Sequence, residues 1–210
     1  RTVMAGYGRE ISSDSEVKFW TGETSATKTA IAALTPGTGN GSVGAAEQTW
    51  AAAQTAGQID GVVTKMIYNN GALGTRIKVL GTTISSSNVA AEYAKVYAAV
   101  PAVVLAQTEK PFIYAPYSHK QFINIYNVSA TYRDLFAVDI KADKYFYNGI
   151  EIKFVPLSEN VIICALPSNL IWATDLVADI NRMEINKIAN NREDMFVKPT
   201  HNLLYIFNQM

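Results

Sequence analysis

One pattern in the chain is typical of nucleotide-binding enzymes, the glycine-rich run Gly39-Asn-Gly-Ser-Val-Gly44. A GxGxxG turn binds a pyrophosphate when it follows a buried strand and opens a helix, and an acidic residue further on binds the ribose. A helix is predicted over residues 45–55, and Asp60 lies roughly where that acid is sought. However, residues 27–34 are rich in Ala and Thr, and Asp60 precedes the apolar pair 62–63 instead of following it. The pattern therefore favours an exposed loop, and an α/β nucleotide-binding enzyme using Gly39 to Gly44 stays as an alternative.

The other candidates for chemistry are two acidic pairs, a serine–histidine step and a single thiol. Lysines interleave the first acidic pair, which is typical of a solvated loop. The serine lacks the strained elbow that a nucleophile requires, and its histidine is expected to be solvated. The thiol lies in an apolar run and is expected to be a small buried hydrophobe. The residues are Asp139 with Asp143, Asp175 with Asp179, Ser118 with His119, and Cys164. We predict no catalytic, cofactor-binding or metal-binding residue and no cofactor, since two histidines and one cysteine are too scattered for a metal site.

The composition points away from nucleic-acid and membrane partners. The 210 residues are 49% hydrophobic and only 17% charged, and 18 Lys and Arg balance 18 Asp and Glu. Specific nucleic-acid recognition needs a concentrated basic face, which a net charge of zero does not indicate. No apolar run approaches the ~20 residues of a membrane-spanning helix. The 22 aromatic residues fit either an aromatic core or a surface buried against partners.

The N-terminal third is predicted to contain helices, a loop and two strands. A short helix is expected over residues 14–20, ending near Gly22, and an exposed loop over 36–44 precedes the Ala-rich helix 45–55. The segments 62–68 and 76–80 are read as strands.

The middle of the chain shows the clearest helical spacing. Apolar residues recur every three or four positions over 89–100, and Pro101 ends this helix before a further turn at 102–106. A buried strand is predicted at 112–115. Ser118 then opens a helix, with Gln121 completing a capping box. Its buried face is predicted to consist of Phe122, Ile125 and Tyr126.

The remainder reads as short strands. Asn148-Gly149 is the strongest short-range signal for a hairpin, so residues 145–147 and 150–155 are expected to pair, with Ile150, Ile152 and Phe154 on one face. A polar stretch over 131–143 precedes the hairpin, and a short helix is predicted around 175–179. Further strands are predicted at 161–166, 183–188, 195–198 and 203–207. The fold class is therefore α+β.

The order of these elements carries a resemblance to a known family. The segments that carry it are 89–100, 112–115, 118–128, 131–134, the Tyr147-Asn-Gly step running to Val155-Pro156, 160–165, 169–176 and 183–185. This order resembles the C-terminal half of the major capsid proteins of tailed phages, which have the Hong Kong 97-like capsid fold. Phe19-Trp-Thr-Gly22 is similar to the end of that family's long spine helix.

The resemblance implies an axial domain, a mixed sheet flanked by helices, plus part of the β-rich peripheral domain. The implied boundaries are 1–25 for the end of the spine helix and a peripheral-domain remnant, 26–177 for the axial domain, and 178–210 for peripheral-domain strands. The family's N-terminal arm, extended β-loop and most of the spine helix have no counterpart here, so a fragment is expected.

The function implied is that of a structural shell protein of a phage or prophage, which self-assembles into the icosahedral capsid. Its partner is itself, as pentamers and hexamers in the full-length shell, with scaffold and portal proteins as further partners. The implied location is the virion, after assembly in the bacterial cytoplasm. An encapsulin-like nanocompartment shell protein has the same fold and stays as an alternative. The loop containing Gly39 to Gly44 and the stretch 131–143 are the candidates for contacts around the symmetry axes.

Overall fold

The computed structural model describes residues 2–40, 42–57, 59–70, 77–129, 135–174, 183–189, 192–199 and 203–206. The chain divides into two compact units, Arg1–Pro167 and Ser168–Met210. The first unit holds every described helix of a full turn or more and a five-stranded sheet, and the second holds two strand pairs.

Seven α-helices are described in the first unit, and most end where the sequence indicates. The helix predicted near residues 14–20 begins much earlier but ends at the expected place, while Gly44 and Pro101 directly precede the helices that follow them. The helices are α1 (Thr2–Thr21), α2 (Ser25–Ala32), α3 (Ala45–Ala53), α4 (Val62–Lys65), α5 (Val89–Ala99), α6 (Ala102–Leu105) and α7 (Ser118–Ser129).

A mixed five-stranded sheet forms the centre of the first unit. Its strands are β1 (Phe112–Pro116), β2 (Phe136–Asp139), β3 (Lys144–Tyr147), β4 (Ile150–Val155) and β5 (Ile163–Ala165). They lie in the order β2-β3-β4-β1-β5, and β1 runs parallel to β4 while the other neighbours are antiparallel. The α+β fold class is thereby confirmed.

The predicted hairpin is formed by β3 and β4. Tyr147 pairs with Ile150 across the turn, and Asn148 and Gly149 have φ angles of 46° and 83°. These two left-handed residues are what a type I′ turn requires. Ile150 and Ile152 are buried in the core and Phe154 packs against it, so the predicted face is confirmed.

An aromatic cluster fills the space between one face of the sheet and helices α5 and α7. The ring of Tyr93 on α5 lies 5.3 Å from Phe136 and 5.7 Å from Tyr147, and Phe136 lies 5.0 Å from Tyr147. Tyr114 points to the opposite face because side chains alternate along a strand. There it meets Trp20 near the end of α1, at 5.0 Å between ring centroids. Both faces of the sheet are thus covered.

The strands predicted at 62–68 and 76–80 are wrong. Residues 62–65 are α-helical and Met66–Asn70 form a π-helical turn, while 77–80 have no regular secondary structure. Val62, Val63 and Thr64 are all buried, and a continuous buried run has no periodicity that separates helix from strand. The helix is joined to the end of α1 by a tertiary contact, in which the Thr64 hydroxyl donates to the Gly22 carbonyl at 2.6 Å.

One expectation for α7 is also wrong, and another holds only in part. Ser118 is the first helical residue and not the N-cap, and its buried hydroxyl has no partner in the described structure, so no capping box forms. Of the predicted buried face, Phe122 and Tyr126 pack against the core, whereas Ile125 is exposed. The fully buried positions are His119 and Ile123, and His119 contacts Tyr93 of α5. The stretch predicted as polar contains β2, whose Phe136 is buried in that cluster.

The second unit contains the three strands that were predicted near the end of the chain and, before them, one strand that was not predicted. β6 (Ile171–Thr174) pairs antiparallel with β9 (Leu203–Ile206), and β7 (Met183–Ala189) pairs antiparallel with β8 (Arg192–Pro199). β8 begins three residues before its predicted start. The helix predicted around 175–179, and with it the pair Asp175 and Asp179, lies outside the described residues.

Candidate functional site

The glycine-rich loop is preceded by helix α2 instead of a strand, so the strand–turn–helix context of a dinucleotide site is not formed. The N-terminus of α3, where a phosphate would bind, is capped by the chain itself. The Glu47 carboxylate accepts from the Gly44 amide at 2.6 Å. Lys78 Nζ lies 3.0 Å from that carboxylate and also donates to the carbonyls of Gly37 and Ser42, at 2.9 and 3.3 Å. The side chain of Lys78 is thus buried against the loop and hydrogen-bonded to its carbonyl groups.

Asp60, the candidate ribose ligand, is committed to structural contacts. One carboxylate oxygen accepts from the Thr24 amide at 2.7 Å, and the other accepts from the Thr27 hydroxyl at 2.7 Å. Lys65 Nζ lies 3.6 Å away. Asp60 therefore fixes the junction between α1 and α2, where both of its carboxylate oxygens accept hydrogen bonds.

Beside Asp60 lies a buried carboxyl group that the sequence did not single out. Glu23 has no exposed surface, and neither of its carboxyl oxygens has a hydrogen-bond partner in the part of the chain described. Burial raises the pKa of Glu23, the nearby charge of Lys28 lowers it, and the Asp60 charge raises it further. The two carboxyl groups of this junction thus have different surroundings. Asp60 accepts hydrogen bonds from Thr24 and Thr27, whereas burial without a donor favours the protonated form of Glu23. In the sequence, Glu23 is marked only by its position two residues before Ser25, where α2 begins.

His119 is buried, in contrast to the prediction that it is solvated. Its Nε2 lies 2.7 Å from the Glu159 carbonyl and its Nδ1 lies 3.1 Å from the Tyr93 hydroxyl. A carbonyl only accepts, so Nε2 carries the proton and the Tyr93 hydroxyl donates to Nδ1. Burial lowers the pKa of His119, although its hydrogen bond to Glu159 acts in the opposite direction. A neutral imidazole with both nitrogens occupied joins α7 to α5.

A second buried acid, Glu92, fastens the segment 77–85 to α5. Its carboxylate accepts from the Thr82 hydroxyl at 2.9 Å and from Lys95 at 2.7 Å. Burial alone raises the pKa of Glu92, but the hydrogen bonds from Lys95 and Thr82 outweigh it and hold the pKa below its ordinary value. The sequence placed Glu92 off the apolar stripe of α5, and only the fold brings Thr82 to it.

The remaining candidates are separate from one another. Asp139 caps its own turn by accepting from the amides of Lys141 and Ala142, and the exposed Asp143 pairs with Lys120 at 2.8 Å. Cys164 is half-buried in β5, and burial raises the pKa of its thiol to about 11. A thiol held in its protonated form is a poor nucleophile.

Within the described ranges, no group of three or more acidic, histidine or cysteine side chains could hold a metal ion. The helices described there include none with the length and apolar character needed to cross a membrane. No protein-family model, curated protein or solved structure matches this chain in the three comparisons made.

Proposed function

We propose that this chain is a structural shell protein with the Hong Kong 97-like fold, which acts by self-assembly in the capsid of a phage or prophage. The supporting observation is the order of elements around the sheet. Helix α5, strand β1, helix α7, the β3–β4 hairpin and strand β5 follow one another in the order of the family's axial domain. The mixed sheet they form, flanked by helices on both faces, fits that domain.

The position of α1 gives independent support. A 20-residue helix ends at Thr21 and places Trp20 against Tyr114 of β1, an inner strand of the sheet. Gly22 lies so close to other backbone that a Cβ atom there would be 2.5 Å from the Lys18 carbonyl oxygen and 2.8 Å from that of Ile59. A long helix that stops abruptly at the sheet is what the end of a spine helix requires.

The electrostatics are compatible with many identical copies in contact. Equal numbers of acidic and basic residues give zero net charge, so long-range repulsion between copies is absent. In closed shells the contacts around five- and six-fold axes are head-to-tail and cyclic. The loop containing Gly37 and Ser42, whose carbonyls accept hydrogen bonds from Lys78, is the candidate for such a contact.

Sedimentation velocity of the purified chain over a wide concentration range, with electron microscopy of the same samples, tests the proposal. The proposal predicts reversible association that populates ring-like oligomers at high concentration. A strict monomer at every concentration would count against it. The alternative, a nucleotide-binding enzyme, predicts a raised melting temperature with NAD or ATP, which the shell proposal does not.

A further inference from the structure

Glu23 and Lys28 lie at a junction where three segments of the chain meet. The Glu23 carbonyl accepts from the Gly57 amide at 2.6 Å, and the Asp60 carboxylate binds the neighbouring Thr24 amide. The Glu23 side chain is fully enclosed there, with both carboxyl oxygens unpaired among the described residues. An ionised carboxylate in such a place is costly, so the enclosed form is the neutral acid.

Lys28 is the cation whose charge acts on this carboxyl group, but its hydrogen bonds go elsewhere. Its Nζ donates to the carbonyls of Ala52 and Gln54, at 2.8 and 2.6 Å. These carbonyls belong to the C-terminal end of α3, where helical C=O groups have no intrahelical donor and attract positive charge. Lys28 therefore has two acceptors within its electrostatic reach, the end of α3 and the Glu23 carboxyl group.

We propose that Glu23 and Lys28 form a proton-dependent switch that couples the α1–α2 junction to the end of α3. While Glu23 holds its proton, Lys28 caps α3. When Glu23 loses the proton to solvent, the buried carboxylate requires a cation, and Lys28 leaves the Ala52 and Gln54 carbonyls to pair with it. The last turn of α3 then loses its cap and frays.

The other charged groups around the junction leave Lys28 as the responding group. Asp60 repels a second negative charge and is itself held by Thr24, Thr27 and the cation Lys65 of α4. On α1, the nearest cation in the chain is Lys18, which is exposed and paired with Asp14 at 2.5 Å. The switch goes beyond the proposed shell function, since it operates within a single chain.

Hydrogen–deuterium exchange across a pH series tests the switch, after correction for the intrinsic pH dependence of exchange. In the wild-type chain, protection of residues 51–54 is expected to fall severalfold as the pH rises through the Glu23 titration. The Glu23→Gln variant, which keeps the shape and never ionises, should keep that protection at every pH. The matched control Glu16→Gln, at an exposed position of α1, should behave as the wild type. In the Lys28→Met variant, residues 51–54 should be poorly protected from exchange at every pH.

Carbon-13 NMR supplies a second measurement that does not depend on any variant folding. The Glu23 carboxyl and the Lys28 Cε signals should titrate with one common midpoint above the ordinary range for glutamate. A Lys28 signal that ignores the Glu23 midpoint, or a Glu23→Gln variant that keeps the wild-type pH dependence of exchange, would overturn the switch.

Discussion

The sheet core and the helical region of residues 9–70 are held together by different physical means. The sheet core is a contiguous set of apolar and aromatic side chains, in which Tyr93, Phe136 and Tyr147 stack at 5.0 to 5.7 Å. The helical region has fewer large buried side chains and depends on polar contacts that span long stretches of sequence. Thr64 to Gly22 and Asp60 to Thr24 are two such contacts.

This difference decides how each region responds to change. An aromatic core tolerates loss of a polar atom but not loss of volume, since the cavity left behind cannot be refilled. A region joined by side chain–backbone hydrogen bonds depends on close backbone approach, so it tolerates loss of volume but not an added atom. Four predictions test that contrast.

The largest effect is expected in the sheet core. Phe136→Ala removes a buried ring from the centre of the aromatic cluster and should lower the free energy of unfolding by about 3–5 kcal/mol. The control is its neighbour Leu135→Ala, which lies directly before the strand and is exposed, and which should cost under about 1 kcal/mol. Urea denaturation measures both. Equal losses for the two variants would show that the aromatic cluster is not the main source of stability.

In the helical region, the largest loss of stability is expected from the addition of a single methyl group. A Cβ atom at Gly61 would lie 2.7 Å from the Gly22 amide nitrogen and 2.7 Å from the Lys18 carbonyl oxygen. Because both are backbone atoms, Gly61→Ala should destabilise by about 1–3 kcal/mol. Gly57→Ala is the matched control, since the nearest atom to its Cβ is 3.8 Å away. Equal melting temperatures for the two variants would contradict the close packing of α1 against α4.

The hairpin turn gives a smaller effect that depends on backbone conformation alone. Gly149 has a φ angle of 83° and no atom within 4 Å of its Cβ position, so Gly149→Ala adds strain without a clash. A cost of about 1–2 kcal/mol is expected. Gly149→Asn should recover part of it because asparagine tolerates left-handed conformations. If alanine and asparagine prove equally costly in urea denaturation, the turn is not of type I′.

The smallest effect is a pH dependence that comes from His119. The folded chain keeps this imidazole neutral and its pKa below 6.5, whereas the unfolded chain takes up a proton near that value. Stability from this group is therefore present above about pH 6.5 and is lost as the pH falls, by at most about 1.4 kcal/mol per pH unit. His119→Gln should lack this part of the slope between pH 7 and 5. If the free energy of unfolding depends on pH in the same way in the wild type and the variant, His119 is not a buried neutral histidine.

The sheet core could be predicted from the sequence to a large extent. The spacing of Val89 and Tyr93, the Asn148-Gly149 turn and the apolar run of β1 are local signals, and each was confirmed. β2 was missed because it is only four residues long and lies in a stretch that is polar at both ends, although its burial alternates, with Phe136 buried and Val138 packed against the core. The histidine was misjudged because its partners, Tyr93 and the Glu159 carbonyl, lie 26 and 40 residues away.

The helical region could be predicted less well because its determinants are not local. Nothing in residues 62–68 separates a buried strand from a buried helix until Gly22 supplies an acceptor for Thr64. The buried amine of Lys78 follows from contacts made 36 and 41 residues away. The enclosed carboxyl of Glu23 lies at a junction that Gly57 completes from a distant part of the chain. Three points stay predictions: that the chain has no catalytic residue, where its domains begin and end, and that it is a shell protein.

Electron cryomicroscopy of particles purified from the cells that naturally make this protein tests the shell function most directly. The account predicts that the chain is found in closed particles, where the sheet of Arg1–Pro167 repeats around five- and six-fold axes. Recovery of the chain only as a dispersed small protein, with no ordered particle that contains it, would contradict the account.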